Sequence, residues 1–209
     1  MGGLTEGSFA KVLFCVAILS TFVISASALS CPSGAALNLA ATTVVRDLSD
    51  THGDSYGRPG LSHLTIAGAL LHGLKEVEVW LQTFAPGSGT PVHRHDCEEV
   101  FLILKGKGTL YLAPSSDAQY PGTPREFSIG ANSTFIVPVN EVHQIRNTNK
   151  NEDLQHLAMI SRPPIRVFTY EDWYTPHTEA QEVFPYPWDA DLISSAEGQC
   201  GALFTGTSY

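Results

Sequence analysis

The sequence predicts one all-β domain, built as an antiparallel sandwich or barrel, within a chain of 209 residues. Two observations carry this prediction. Over residues 77–82, the aliphatic residues Val77, Val79 and Leu81 alternate with Glu78, Trp80 and Gln82. This is the period of two that a β-strand imposes. Further short apolar runs follow, separated by turn-forming residues at intervals of about ten residues. The length suits a single domain with one sizeable core.

The elements are expected in the following order. Residues 43–60 contain three glycines and a proline and are predicted to form a loop. Residues 99–104 and 108–112 are apolar runs on either side of Lys105-Gly106-Lys107, which predicts a hairpin. Residues 134–137, 142–146 and 154–160 are predicted to be strands. The pattern weakens after residue 164, where we expect a short C-terminal helix over residues 189–196 and a loose tail at 201–209.

The first 30 residues have the pattern of a secretory signal peptide. Lys11 precedes a 13-residue apolar run from Val12 to Ile24, and small residues follow. Cleavage after Ala28 or after Ser30 fits equally well. A membrane anchor is the alternative, but 13 residues are too few to cross about 30 Å of hydrocarbon as a helix. We therefore expect a mature domain at residues 31–200.

Charge and cysteine content limit the partners and the compartment. The formal net charge of −9 makes nucleic acid a poor partner. In an oxidising compartment, Cys31 and Cys200 are expected to pair because they lie near the two ends of the mature chain, which leaves Cys97 as a buried thiol. Asn132-Ser133-Thr134 is a glycosylation sequon, expected on a surface turn.

Four residues are candidates for a metal site. His93 and His95 are two apart, so on a strand both imidazoles project from the same face. Glu99 follows four residues later, and His143 comes from another predicted strand. Three imidazoles and a carboxylate suit zinc, manganese, iron or copper. His52, His63, His72, His156 and His177 are interpreted as ordinary polar residues.

The spacing around these residues resembles the two motifs of the cupin superfamily. Gly87, His93, His95, Glu99 and Gly106 match every position of the first motif. The second is visible as Pro138, Asn140, His143 and Asn147. There Asn140 replaces the usual glycine, and Gly130 lies two residues too far from Pro138. The resemblance implies a cupin-type antiparallel β-barrel, or jelly roll.

A narrower resemblance covers roughly residues 43–192. Its strings lie outside the general cupin motif and include Gly60-Leu61-Ser62-His63, Glu76-Val77-Glu78-Val79-Trp80-Leu81-Gln82-Thr83, Thr90-Pro91-Val92-His93-Arg94-His95, Ile160-Ser161-Arg162-Pro163-Pro164 and Phe184-Pro185-Tyr186-Pro187-Trp188-Asp189. These are similar to the plant auxin-binding protein family.

That resemblance implies one zinc ion, held by the four candidate ligands, and a bound indole-3-acetic acid. The ligand carboxylate would reach the zinc and touch Gln82 and Thr90. Its indole ring would lie in an apolar pocket, with Trp188 stacking on it. The implied pocket residues are Leu61, Pro91, Val167, Tyr186 and Trp188. Tyr186 stands where the family typically has phenylalanine.

The resemblance also implies a non-catalytic hormone receptor in auxin signalling, a homodimer and a membrane receptor-kinase partner. The alternative is a secreted cupin enzyme, an oxidase or dioxygenase using manganese or iron in the same ligands. Family members of higher plants end in a Lys-Asp-Glu-Leu retention signal, whereas this chain ends in Gly206-Thr207-Ser208-Tyr209. We therefore expect the secretory pathway, with the extracellular space favoured over the lumen of the endoplasmic reticulum.

Overall fold

The computed structural model describes residues 45–114 and 118–190. Within these ranges the chain forms eleven strands, two short helical segments, of which the second is residues 187–190, and one 3₁₀ turn. The elements are β1 Leu61–Ala67, α1 Ala69–His72, β2 Val77–Phe84, β3 Val92–His95, β4 Glu99–Lys105, β5 Lys107–Leu112, β6 Arg125–Gly130, β7 Thr134–Val137, β8 His143–Arg146, β9 Leu154–Ser161, β10 Val167–Tyr170, the 3₁₀ turn His177–Glu179 and β11 Gln181–Val183. No helix in this part of the chain is long and apolar enough to span a bilayer.

The strands form two antiparallel sheets. The five-stranded sheet has the order β1-β2-β9-β4-β7, and the six-stranded sheet has the order β11-β10-β3-β8-β5-β6. Buried side chains from both sheets form one core, including Phe84 and Leu154 from the first and Leu110 and Ile145 from the second. Residues 187–190 are helical and follow the last strand. The predicted fold class, an all-β antiparallel barrel with a short C-terminal helix, is confirmed.

Strands β2 and β9 show how the sequence selects the inner face. Both alternate strictly between buried and partly exposed positions, as strands with one packed face do. In β2 the inward side chains are those of Glu78, Trp80, Gln82 and Phe84. The interior of the barrel is therefore partly polar at this strand, which is unusual for a plain core.

The predicted hairpin at residues 99–112 is wrong. β4 pairs with β7 and β9, whereas β5 pairs with β6 and β8 in the other sheet. Between them Gly106 adopts a φ of 81°, and a Cβ there would lie 2.1 Å from the carbonyl oxygen of Asp153. The turn leads the chain from one sheet into the other because the apolar runs pack on opposite walls of the same core.

Several elements differ from the expected pattern or lie outside it. Strands β1, β6, β10 and β11 lacked a clear signal in the sequence; β6, for example, has four exposed residues in its six. The C-terminal helix begins at residue 187 rather than 189. The expected signal peptide, Cys31, Cys200, most of the predicted helix and the tail at 201–209 lie outside the described residues.

Candidate functional site

The four candidate metal ligands converge between the two sheets. His93 and His95 lie on β3, and His143 lies on β8 directly opposite His93. Glu99 is the first residue of β4 and belongs to the other sheet. All four side chains are buried, and their ligand atoms lie within 4.8 Å of one another. The i,i+2 spacing therefore has the effect expected from strand geometry.

Each imidazole is oriented by a backbone carbonyl. The Nδ1 atoms of His93, His95 and His143 lie 3.0, 2.9 and 3.0 Å from the carbonyl oxygens of Pro91, Cys97 and Glu141. A carbonyl only accepts, so each Nδ1 carries a hydrogen, and Nε2 is the nitrogen through which each imidazole, in its neutral form, would bind a metal. Carbonyls of this kind fix histidine tautomers in metal sites. The residues present therefore fit a metal ion.

Glu99 supplies the negative charge of the cluster. Its Oε2 atom lies 2.8 Å from Nε2 of His95 and 3.4 Å from Nε2 of His143. Burial alone would raise the pKa of Glu99, but the attraction and the hydrogen bond of His95, with a further contribution from the nearby His143, lower it well below its usual range. Burial opposes the charge on His95, yet Glu99 outweighs it and raises the pKa of His95 to about 10. The cluster thus favours a cation beside the carboxylate.

His93 behaves differently because no carboxylate lies directly against it. Burial, together with repulsion from His143 and His95, lowers its pKa well below the usual value. His93 is therefore neutral at physiological pH, which is the state in which an imidazole ligates a metal.

A small cavity of about 30 Å³ opens beside the cluster. His93 and Glu99 form part of its wall, so the ligand cluster and the cavity are continuous. The other lining residues are Arg58, Trp80, Gln82, Thr90, Phe101, Ile165, Val167, Tyr186 and Trp188. The wall thus combines five polar or charged residues with six aromatic or aliphatic ones.

Five of the seven expected ligand-binding residues line this cavity: Gln82, Thr90, Val167, Tyr186 and Trp188. The other two do not. Leu61 is buried in the core opposite Phe84, at the start of β1. Pro91 contributes through its backbone, because its carbonyl oxygen orients His93.

Trp188 is buried among other aromatic rings. Its ring stacks on His63 at 3.8 Å between centroids and 13° between planes. It also meets Trp80 and Tyr186 edge to face, at 4.7 and 4.3 Å. Offset stacked and edge-to-face contacts are the favourable geometries for aromatic rings. The residue is thus held in place by several partners on one side of the cavity.

Sequence reasoning missed four lining residues. Trp80 is two residues before Gln82, and Phe101 is two residues after Glu99, so strand periodicity could have assigned both to the inner face. Ile165 and Arg58 lie in connecting segments, where no periodicity applies. Arg58 donates to the carbonyl oxygen of Gly89 at 2.8 Å, and this contact holds its cation at the cavity.

Two further sequence expectations concern single residues. Cys97 is buried and unpaired, as expected. Asn132 is exposed in a turn before β7, with a φ of 69°. The turn leaves its side chain accessible, and glycosylation there remains a prediction.

Comparisons with known proteins agree with the geometry. A family model described as auxin binding protein matches residues 34–199. Auxin-binding protein 1 of Arabidopsis thaliana is 54% identical over 195 residues, which covers 93% of this chain and 95% of that protein. Auxin-binding protein T92 of Nicotiana tabacum is 62% identical over 152 residues, or 73% of this chain and 81% of that protein.

Similarity to solved structures is lower. The polyketide cyclase RemF from Streptomyces resistomycificus is 22% identical and superimposes with a TM-score of 0.48, covering 62% of this chain and 89% of that one. Likeness at this level carries no argument about activity.

Proposed function

The chain belongs to the auxin-binding protein family, and on that premise we propose that it binds the auxin indole-3-acetic acid through a metal ion, as a receptor rather than a catalyst. The observation that carries the proposal is the continuity between the four-ligand cluster and a cavity whose wall carries four Trp, Tyr or Phe rings. An aromatic carboxylic acid needs a cation at one end and an apolar slot at the other. This cavity combines both.

Zinc is the metal we propose. The Nε2 atoms of the three histidines and the carboxylate of Glu99 would hold it, and the donor set suits it. Bound there, the ion would supply a positive charge that attracts a carboxylate in a site sheltered from water.

Protein donors complete the polar end. The hydroxyl of Thr90 accepts the backbone N–H of Ile145 at 3.0 Å, so its own hydrogen can be donated to a ligand. Gln82 is 5% exposed and lines the same wall. Both side chains would orient a carboxylate whose charge the metal neutralises.

The aromatic end must open to admit the ligand. A cavity of about 30 Å³ holds no more than a few water molecules, far below the roughly 300 Å³ at the lower end of ligand pockets. Trp188 forms part of the wall and stacks on His63. We infer that Trp188 leaves this stack and then covers the indole ring, which exchanges one aromatic contact for another.

A binding role also fits the acid–base groups of the cavity. Among the described residues that line it, the only carboxylate is Glu99, a proposed metal ligand. The other titratable side chains on the wall are His93, which is also a proposed ligand, Tyr186, whose pKa is raised by burial, and Arg58. We therefore propose that this wall holds a ligand, and the metal content of the purified protein tests the enzymatic alternative.

The wider biological role is part of the proposal. We propose that the protein enters the secretory pathway, acts mainly outside the cell, forms a homodimer and transmits auxin binding to a membrane receptor kinase. Mass spectrometry of the native protein tests the processed N-terminus, the glycan on Asn132 and the Cys31–Cys200 disulfide. Light scattering tests the dimer.

Titration calorimetry of zinc-loaded protein with indole-3-acetic acid tests the central proposal. We expect saturable heat at one site per chain, lost after chelation of the metal and in the His143→Ala variant. His52→Ala is the matched control, because His52 is exposed in the loop before β1, outside the cluster and the cavity lining, and its removal should change nothing. No heat at any pH between about 5 and 8, with zinc confirmed in place, would refute auxin binding. Manganese or iron in the purified protein, with oxygen consumption, would favour the oxidative enzyme.

A further inference from the structure

A row of polar side chains crosses the five-stranded sheet behind the cavity. His63 on β1, Gln82 on β2 and His156 on β9 lie directly opposite one another in register. The carboxamide of Gln82 lies between the two imidazoles: its Nε2 is 3.0 Å from Nδ1 of His63, and its Oε1 is 3.2 Å from Nε2 of His156. All three residues are at most 5% exposed. Buried polar groups of this kind are costly unless they are paired.

Both histidines are neutral. Burial, with a smaller contribution from the Arg58 cation, lowers the pKa of His63 to about 3. Burial lowers the pKa of His156 to about 4. A neutral imidazole has one N–H donor and one acceptor nitrogen, so its tautomer decides what it can offer to Gln82.

The surroundings of His156 select its tautomer. Its Nδ1 atom is buried and has no hydrogen-bond partner. Its ring lies against Phe84 and Phe101, at 5.2 and 5.4 Å between centroids. An orphaned N–H at Nδ1 would be a rare and costly defect, so the hydrogen belongs on Nε2, where Gln82 Oε1 accepts it.

This assignment also determines the orientation of the Gln82 amide, because the hydrogen bond from His156 requires Oε1 on that side. With Oε1 facing His156, the NH₂ group faces His63, and one of its hydrogens is donated to Nδ1 of that residue. The Nε2–H of His63 then points to the hydroxyl of Thr65 at 3.1 Å. The second N–H of Gln82 has no partner among the described residues, on a side chain that lines the cavity.

We propose that His156 and His63 are positioning residues that lock Gln82 with its N–H donor towards the cavity, which makes this wall selective for a carboxylate. The proposal rests on the binding function proposed above and adds a second source of its preference for acids, beside the charge of the proposed metal. A reversed amide would present a carbonyl oxygen and repel a carboxylate. His63 also stacks on Trp188, so the same residue touches both the polar and the aromatic ends.

¹⁵N NMR of histidine-labelled, metal-free protein tests the lock without any ligand. We expect the Nε2–H tautomer for His63 and His156 and no titration of either between about pH 5 and 8. An Nδ1–H signal from His156 would overturn the proposal, whether or not the protein binds auxin. This measurement therefore separates failure of the lock from failure of the proposed function.

The affinities of His156 variants for indole-3-acetic acid and for neutral indole test whether the orientation of Gln82 favours the acid. In His156→Leu the donor to Gln82 is lost, and we expect affinity for indole-3-acetic acid to fall by roughly tenfold, the scale of one hydrogen bond to a charged group. Affinity for neutral indole should hold, and His156→Gln, which restores an N–H donor, should recover binding of the acid.

Gln155→Leu is the matched control. Gln155 precedes His156 on β9, and its side chain bonds Thr83 at 3.0 Å, outside the cavity lining. We expect it to leave both affinities unchanged. Equal losses for the acid and for indole in His156→Leu, or no loss for either, would refute a positioning role.

Discussion

Replacing Trp188 with alanine separates the two roles of this side chain, which are packing and ligand contact. Trp188 is 5% exposed and touches His63, Trp80, Tyr186 and Tyr56 through its ring. Truncating a buried tryptophan of this kind costs about 3–5 kcal/mol. For a domain of this size, that lowers the melting temperature by about 6–20 °C.

The same substitution should weaken auxin binding. Loss of a large apolar contact of about 1–3 kcal/mol lowers affinity roughly 5- to 150-fold. Association should become faster, because no stack on His63 has to break, and dissociation should accelerate more. Calorimetry gives the affinity, stopped-flow fluorescence gives both rates, and elemental analysis should show that the metal content is unchanged.

Trp173→Ala is the control for this experiment. Trp173 packs against the smaller cluster of Val92, Ala113, Val142 and Tyr170, away from the cavity. It should lower the melting temperature and leave affinity for auxin intact. If Trp188→Ala bound auxin as tightly as the unmodified protein, or if Trp173→Ala weakened binding equally, the assignment of Trp188 to the ligand would be wrong.

Three other perturbations address the metal, the pH dependence and the turn between the sheets. His143→Ala should remove stoichiometric metal, since it deletes one of four ligands; unchanged metal by elemental analysis would contradict the site. Burial and the nearby Glu78 carboxylate raise the pKa of Asp189 to about 7, so the folded chain keeps a proton there that the unfolded chain releases near pH 4. The stability contributed by this proton is complete below about pH 4 and lost as the pH rises through about 7. The melting temperature should therefore fall between about pH 4 and 7, and it should fall less in Asp189→Asn than in the unmodified protein. Gly106→Ala should destabilise by about 2–5 kcal/mol in urea unfolding, because its Cβ would meet the Asp153 carbonyl. The matched Gly73→Ala has a φ of 70° with nothing within 4 Å and should cost only about 1–2 kcal/mol.

The metal cluster could be predicted from the sequence because its geometry is mostly local. His93 and His95 share a strand face, and Glu99 follows after one short crossing between the sheets. Strands β2, β7 and β9 could also be predicted from the sequence, since each carries an uninterrupted apolar or alternating run. Resemblance to a family supplied His143, which no local pattern links to the other three.

Features that depend on long-range register could not be predicted in this way. The apolar runs β4 and β5 suggest a hairpin, and only their partners β9 and β8 show that they belong to different sheets. His63 and His156 look like ordinary polar residues in sequence. They gain a role only because register places both opposite Gln82.

The four metal ligands are divided between the sheets, with three imidazoles on the six-stranded sheet and Glu99 on the five-stranded one. A slip of one residue in β8 would turn His143 to the outer face. A partly synthesised chain, or one folded in the wrong register, therefore presents an incomplete set of ligands and holds the ion weakly. A bound ion would therefore report that the two sheets have closed in register, because only that arrangement brings all four ligands together.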